Sequence, residues 1–170
     1  ILIYSSLSHV VLNKAVYRLF LRSDNQAISA TKAAIASPRT PSCALIECEF
    51  PPLGSLNKLG DGSLSSANQV DKANLDFAVK LLRSISPLPV FGPNTRLLVS
   101  STATNSFLDR AKKMFQGGTV HSLRDGLPND VKSREVFVLV APSVTRDYDA
   151  AKRLVATGNT VVLINGFAKV

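Results

Sequence analysis

The chain has 170 residues, of which 45% are hydrophobic, and a formal net charge of +8. This length suits one domain with a sizeable core, and near-average contents of Gly and Pro exclude a fibrous or wholly disordered chain. The basic excess is dispersed along the sequence rather than concentrated, which argues against a nucleic-acid partner.

The first part of the chain resembles an organelle-targeting segment in composition. Residues 1–42 contain a single acid, Asp24, among seven serines and five basic residues. The chain starts at Ile1 rather than Met, so we expect a piece whose true start is missing. We predict a transit-like or poorly ordered head at residues 1–24 and an α/β domain at 25–170. No apolar stretch reaches the roughly 20 residues that a membrane-spanning helix requires.

The first half of the domain is predicted to contain one strand between two helices. A short helix over 25–37 precedes a compact apolar strand at 43–50, which ends at Pro51. A Gly- and Ser-rich loop at 53–66 then leads to the clearest amphipathic helix of the chain, at 70–85. The order helix, strand, helix is typical of an α/β domain.

The second half continues the alternation. In order, the pattern predicts a strand at 96–100, a helix around 107–115, strands at 119–122 and 136–141, a helix at 146–157 and a strand at 160–164. Such alternation indicates stacked right-handed β-α-β units. The predicted fold is therefore an open, mostly parallel sheet of about five strands with helices on both faces, a Rossmann-like three-layer sandwich.

Polar residues at the predicted strand ends form the candidate ligand site. In open α/β sheets, ligands bind in the crevice at the carboxyl ends of the strands. The candidate ligand-binding residues at these ends are Glu49, Pro51, Ser101, Thr102, Ser143 and Asn165. Hydroxyl groups and helix N-termini suit a phosphate or a carboxylate. The alternative is that Ser101, Thr102 and Ser143 only cap helices, with Thr104 as a further cap candidate.

No catalytic residues, cofactor or metal site are predicted. Glu49 could act as an acid or base if desolvated, but a Glu at a strand end more often pairs with Arg or faces water. His121 lacks partners for a triad or for zinc, and Cys43 and Cys48 lie at an odd offset on one strand, so they point to opposite faces. No Gly-Lys-Ser or Gly-Lys-Thr phosphate loop occurs.

The densest basic cluster is Arg110, Lys112 and Lys113 on one predicted helix. Few aromatic residues lie near it that could stack on bases. Binding of anionic lipid or RNA through this helix is kept as an alternative function, and it predicts an affinity that falls steeply with salt.

One string is more specific than any of these patterns. In residues 46–53, IECEFPPL, a strand with an acidic residue continues directly into Glu-Phe-Pro-Pro-Leu. The helix segment ANLDFAVKLL follows at 73–82. This string resembles the plant and cyanobacterial domain of unknown function found in chloroplast low-photosystem-II-accumulation proteins and appended to a plastid adenylate kinase. Later core strands, RLLVSST at 96–102, VFVLVAPS at 136–143 and TVVLING at 160–166, agree with that family over about residues 25–170.

The resemblance implies a chloroplast location, in the stroma or associated with thylakoids, and a protein partner linked to photosystem assembly. It implies no reaction, and it implies that the domain is truncated at its C-terminus, because family members continue beyond the last strand. We therefore expect a non-enzymatic plastid accessory domain. The alternative is an enzyme or sensor that binds a nucleotide or phosphorylated metabolite at the strand-end crevice.

Overall fold

The computed structural model describes residues 16–20, 24–36, 44–49, 64–86 and 94–166. These residues form a six-stranded sheet in which every pair of neighbouring strands is parallel. The strands are β1 (Val16–Phe20), β2 (Leu45–Glu49), β3 (Thr95–Val99), β4 (Thr119–Ser122), β5 (Val136–Val140) and β6 (Thr160–Ile164). Their spatial order is β1-β2-β6-β5-β3-β4. The predicted α/β class with a parallel sheet is confirmed.

Four helices cover the two faces of this sheet. They are α1 (Asp24–Ala36), α2 (Leu64–Ile85), α3 (Asn105–Met114) and α4 (Thr145–Ala156). The helices α1, α2 and α3 pack on one face, against residues such as Val138 and Val162, while α4 packs on the other face, against Phe137 and Leu163. Side chains of a strand alternate between its faces, so the unbroken apolar runs of β5 and β6 fill both cores at once.

The connections explain this division of the helices. From β1 to β4 the chain moves across the sheet in one direction, and from β4 through β5 to β6 it moves back. Because right-handed crossovers place their helices on opposite faces when the direction reverses, α4 lies opposite the other three helices. The reversal creates a point at which two neighbouring strands, β3 and β5, lead to helices on opposite faces.

Two elements differ from the sequence prediction. The sheet has six strands rather than about five, because residues 16–20, within the expected head, form the edge strand β1 beside β2. In addition, α2 begins at Leu64, inside the stretch expected to be a loop. The serines at 63–66 are typical of a loop, but Ser is also well accommodated near a helix N-terminus.

The described part of the chain has no helix that meets the requirements of a membrane span. Helix α2 has the length, at 22 residues, but it carries charged residues from Asp71 to Arg83. Its charges would be costly in a bilayer core.

Candidate functional site

The carboxyl ends of β3 and β5 lie side by side where the chain reverses its direction across the sheet. After β3 the chain turns through Ser100, Ser101 and Thr102 to α3, and after β5 it turns through Pro142 and Ser143 to α4. The two connections lead to helices on opposite faces, and this is the place where open α/β sheets usually bind ligands. We call this place the switch-point site.

Asp147, in the first turn of α4, ties the two loops of this site together. Its side chain is completely buried. Oδ2 accepts the hydroxyl proton of Ser100 at 2.6 Å and the backbone N–H of Ser143 at 3.2 Å, and Oδ1 accepts the backbone N–H of Ser101 at 2.9 Å. A negative charge near a helix N-terminus is also favoured by the helix dipole.

These contacts set the ionisation state of Asp147. Burial by itself would raise the pKa of this carboxyl group. The hydrogen bonds from Ser100, Ser101 and Ser143 outweigh that effect and hold the pKa below its usual value of 3.8. Asp147 is therefore a carboxylate at neutral pH, with its oxygens occupied by donors of the protein itself.

Three hydroxyl groups form a triangle above this carboxylate. The oxygen atoms of Thr102 and Ser143 lie 2.7 Å apart, those of Ser100 and Thr102 3.0 Å apart, and those of Ser100 and Ser143 3.4 Å apart. The proton of Ser100 is donated to Asp147, and one proton is shared between Thr102 and Ser143. Because the proton of Ser100 is given to Asp147, the contact between Ser100 and Thr102 uses a second proton, and all three hydroxyl protons are used within the triangle and by Asp147. An external acceptor can take a proton from Thr102 or Ser143 only in place of one of these hydrogen bonds.

The segments next to the hydroxyl triangle carry N–H groups and an arginine. The N-cap residue of α4, Val144, provides no side-chain hydrogen bond, and the backbone N–H groups of Thr145 and Arg146 have no acceptor among the described residues. The guanidinium group of Arg124 donates to Asn105 Oδ1 and to the backbone oxygen of Ala103, in the connection that follows β3. These groups favour a ligand that carries oxygen acceptors and negative charge.

The second arginine, Arg146, belongs to the first turn of α4. Its Nη2 donates to the backbone oxygen of Arg124 at 3.2 Å, so the chain segments that carry the two arginines touch. Both residues are exposed. The segments next to the hydroxyl triangle therefore carry two arginines, and the Asp147 carboxylate is hydrogen-bonded to donors of the protein itself.

The backbone at the strand ends is also unusual. Ala141 follows β5 with a φ of 47°, and Asn165 follows β6 with a φ of 46°. Asn adopts this left-handed conformation more readily than Ala, for which it costs about 1–2 kcal/mol. Strained backbone of this kind occurs often at binding sites, and here it lies at the end of one of the two strands that form the switch-point site.

No protein family, curated protein or solved structure shows significant similarity to this chain. The comparisons therefore lend no support to the resemblance of residues 46–53 to the plastid domain, which stays a prediction. The chloroplast location and the photosystem partner stay predictions with it.

The structure brings three of the predicted ligand residues together. It also corrects the alternative interpretation that these residues only cap helices. Ser101 and Ser143 donate their backbone N–H groups to Asp147, and Thr102 bonds to Ser100 and Ser143. None of the three is the N-cap of α3 or α4. The cap of α3 is Thr104, whose Oγ1 accepts the backbone N–H of Phe107 at 3.2 Å. The hydroxyl groups of Thr102 and Ser143 bond to each other instead.

The other predicted ligand residues do not join this group. Pro51 lies outside the described residues, as does the side chain of Glu49, whose backbone ends β2. Asn165 Nδ2 donates to Asn74 Oδ1 on α2 at 2.8 Å, and its backbone N–H donates to Cys48 at 3.0 Å. The completely buried Asn74 leaves its own Nδ2 without an acceptor.

The remaining sequence candidates have structural roles or lie outside the described part. His121 Nε2 lies 3.0 Å from the backbone oxygen of Gly126, so this ring has the partner that the sequence did not reveal. Cys48 is a buried free thiol, and Cys43 is outside the described residues. Within the described ranges, no group of three or more His, Cys, Asp or Glu side chains could hold a metal ion.

The three residues of the predicted basic patch have different surroundings in the structure. Arg110 is half-buried, and its charge counteracts the burial that raises the pKa of Asp71 on α2. Lys112 and Lys113 are exposed in the last turn of α3. The three bases therefore do not form one uniform surface, because Arg110 interacts with an acid.

A second polar cluster lies at the opposite, amino edge of the sheet. Arg96, near the start of β3, is buried, and its Nη1 donates to Asp130 Oδ1 at 2.7 Å. Its Nη2 donates to Glu135 Oε1 at 3.2 Å, and Nε lies 3.1 Å from Glu135 Oε2 outside hydrogen-bond geometry. These residues border an open polar cleft of about 250 Å³. Arg96 is the common partner of both acids, which indicates a structural role for this cluster.

Sequence reasoning missed Asp147, Arg124 and Arg146. Asp147 lies on a helix face whose apolar stripe dominated the prediction, and its partners Ser100 and Ser101 are more than 45 residues away. An acid in the first turn of a helix is the one local signal, and it is common in helices without any ligand. Contacts between separate loops leave no spacing pattern in the sequence.

Proposed function

We propose that this chain binds a small oxyanion, a phosphate ester or a carboxylate, at the switch-point site. The observation that supports this proposal best is the hydroxyl triangle of Ser100, Thr102 and Ser143, held from below by the buried Asp147. The free N–H groups at the start of α4 can donate to ligand oxygens, and Thr102 or Ser143 can donate its hydroxyl proton to the ligand in place of a hydrogen bond within the triangle. Arg124 and Arg146 supply positive charge beside them.

The buried carboxylate does not contradict this assignment. Asp147 accepts three hydrogen bonds, and its charge is balanced by these donors and by the N-terminus of α4. Its effect is to fix the rotamer of Ser100 and the positions of both loops. A site whose groups are held in place before binding loses little entropy when the ligand arrives.

Thermal unfolding in the presence of candidate ligands tests the proposal. Inorganic phosphate, AMP and glucose 6-phosphate should raise the Tm in a concentration-dependent manner, because a ligand that binds only the folded state stabilises it. Adenosine and glucose, which lack the phosphate, should give no rise. A carboxylate such as citrate separates a general oxyanion site from one that is selective for phosphate. The absence of any shift with all the anions would contradict the proposal.

Two variants locate the binding site. Thr102→Val and Ser143→Ala each remove one hydroxyl group and should weaken binding about tenfold, the usual effect of losing a hydrogen bond to a charged ligand. Matched controls at the amino edge are Thr119→Val and Ser133→Ala, both at exposed positions, which should bind as the parent chain does. Equal losses in the controls would place the ligand elsewhere.

The plastid accessory role remains a separate prediction that rests on the string at residues 46–53. Recovery of a photosystem or thylakoid protein with the chain from plastid extract would support it. It concerns a protein partner, so its outcome is independent of the oxyanion site.

A further inference from the structure

Basic residues that are far apart in the sequence converge at the amino edge of the sheet. Each helix that follows a strand of a parallel sheet runs back toward the start of the next strand, so the last turns of α2, α3 and α4 lie at the same edge. The connection that precedes β5 ends at this edge as well. Six exposed bases belong to these segments: Arg83, Lys112, Lys113, Lys132, Arg134 and Arg153.

Direct contacts join these segments. Arg83 Nη2 donates to the backbone oxygen of Met114, which links the ends of α2 and α3 at 3.1 Å. The backbone N–H of Arg134 donates to Gly158 at 3.0 Å, which links the connection before β5 to the end of α4. The convergence therefore includes helices from both faces of the sheet. We call these six residues the basic edge.

The acids near this edge neutralise only a small part of its charge. Asp130 and Glu135 share one cation, the buried Arg96, so these three residues carry a net charge of −1 beside the six bases. None of the six residues of the basic edge forms an ion pair with a described residue. The stretches of sequence that link α1 to β2 and α2 to β3, residues 37–43 and 87–93, contain no Asp or Glu. Most of the positive charge of the basic edge is thus not balanced by acids among the described residues.

The helix dipole accounts for only part of this arrangement. Bases in the last turn of a helix are favoured by the dipole, which suffices for Arg83, Lys112, Lys113 and Arg153. Lys132 and Arg134 lie in a connection without a helix end of their own. Because the helix dipole does not explain Lys132 and Arg134, the positive charge belongs to the edge as a whole and not only to the helix ends.

The kind of partner follows from the side chains that the structure describes. Single-stranded nucleic acid is commonly bound by stacking its bases on exposed aromatic side chains. The Phe and Tyr side chains whose burial the structure describes are all buried, namely those of Phe77, Phe107, Phe115, Phe137 and Tyr148. A membrane with anionic lipids needs only charges presented together at one end of the molecule. We propose that the basic edge docks the domain on an anionic phospholipid surface.

Binding of the 170-residue chain to vesicles tests this proposal. Vesicles of phosphatidylcholine with about 30% phosphatidylglycerol should bind the chain at low salt, and vesicles of phosphatidylcholine alone should not. Binding should be largely lost when the salt concentration is raised from about 50 mM to about 500 mM, because screening shortens the range of the attraction.

Charge-neutral variants assign the binding to the edge. Lys112→Gln and Lys113→Gln should each lower the partition coefficient about fivefold, and together about 25-fold. Lys132→Gln tests the part of the edge outside α3 and should lower it by a similar factor. The matched control is Lys72→Gln, which removes the same charge from the other half of α2 and should change binding less than about twofold. Each variant is checked for an unchanged Tm.

Three results would overturn the proposal. The first is equal loss of binding in Lys72→Gln and in the edge variants, which would show attraction by net charge alone. The second is vesicle binding that does not depend on salt. The third is binding of an RNA oligonucleotide at a salt concentration at which anionic vesicles are not bound.

Discussion

The carboxylate of Asp147 and the hydroxyl group of Ser100 lie 2.6 Å apart, although they belong to segments on opposite faces of the sheet. Ser100 follows β3, whose connection leads to α3, and Asp147 lies on α4, which packs against the other face. Their hydrogen bond closes the base of the crevice that the diverging connections would otherwise leave open. It therefore serves both the stability of the fold and the geometry of the proposed site.

Asp147→Asn should destabilise the protein by about 2–4 kcal/mol, because one buried hydroxyl group and two partly buried N–H groups lose a charged acceptor. The new amide also places a donor beside these donors. Urea denaturation measures the free energy of unfolding. Asp149→Asn is the matched control, since Asp149 lies on the same helix, is exposed and has its Lys152 partner at 3.9 Å. A control as unstable as Asp147→Asn would contradict the role given to Asp147.

The stability of the protein should also decrease in acid in a way that depends on Asp147. The pKa of this group is lower in the folded state than its usual 3.8. The carboxylate thus stabilises the fold above that usual value, and this contribution is lost as the pH falls through the lowered folded value. Asp147→Asn should therefore give a flatter acid limb in a plot of unfolding free energy against pH.

Asp130→Asn is the comparison for this pH profile. The pKa of Asp130 is lowered mainly by its hydrogen bond from Arg96, but its side chain is 76% exposed, so solvent weakens the coupling. The acid limb should keep most of its slope in this variant. A profile of Asp147→Asn that matches the parent chain would show that Asp147 is not the group responsible.

Substitutions of different members of the hydroxyl triangle should affect stability and ligand binding differently. Ser100→Ala removes a donor to Asp147 and the acceptor of the Thr102 N–H, and should cost about 1–2 kcal/mol of unfolding free energy. Thr102→Val removes an exposed hydroxyl group and should change stability by less than about 0.5 kcal/mol. Denaturation of both variants, beside phosphate binding, measures the two effects. Equal destabilisation would show that the triangle is only structural.

The sequence was sufficient to predict the layers of the fold because each buried strand is a short apolar run bounded by turn residues. Strands β4 and β6 have the predicted bounds, and β5 differs by one residue. The edge strand β1 was missed because Val16–Phe20 lies in a segment whose composition resembles a targeting region. A local sequence pattern indicates the periodicity of a segment, but it does not indicate which strand that segment will pair with.

The sequence was sufficient to predict where the site lies, but not which contacts form it. The rule for strand ends located Ser101, Thr102 and Ser143, but it could not show that Asp147 joins them, because that contact spans 46 residues between Asp147 and Ser101. The same limit applies to charge. The basic residues are dispersed along the chain, which argued against an anionic partner, yet the parallel topology gathers six of them at one edge.

Gly158 should resist replacement by Ala. This residue follows α4 with a φ of +88°, and no atom lies closer than 3.9 Å to an added Cβ, so the cost is conformational rather than steric. Gly158→Ala should lower the free energy of unfolding by about 1 kcal/mol. Gly158→Asn should lose less, because Asn tolerates the left-handed region better than Ala. Equal losses in both variants would indicate a steric cause, and thermal unfolding distinguishes the two outcomes.

The pairing of Arg96 with Glu135 should be costly to break from one side only. Both side chains are buried, and Arg96→Leu would leave Glu135 as a charge without a partner, which should destabilise the protein by about 3–5 kcal/mol. The double variant Arg96→Leu with Glu135→Leu removes both charges and should recover most of that loss, since a buried ion pair contributes little net stability. Arg96→Lys keeps the charge but cannot reach Asp130 and Glu135 at once, and should lie between the two. Urea denaturation of the three variants gives the coupling energy. A double variant as unstable as Arg96→Leu would mean that the ion pair itself stabilises this edge of the sheet, and that the loss in Arg96→Leu does not come from the buried charge left without a partner.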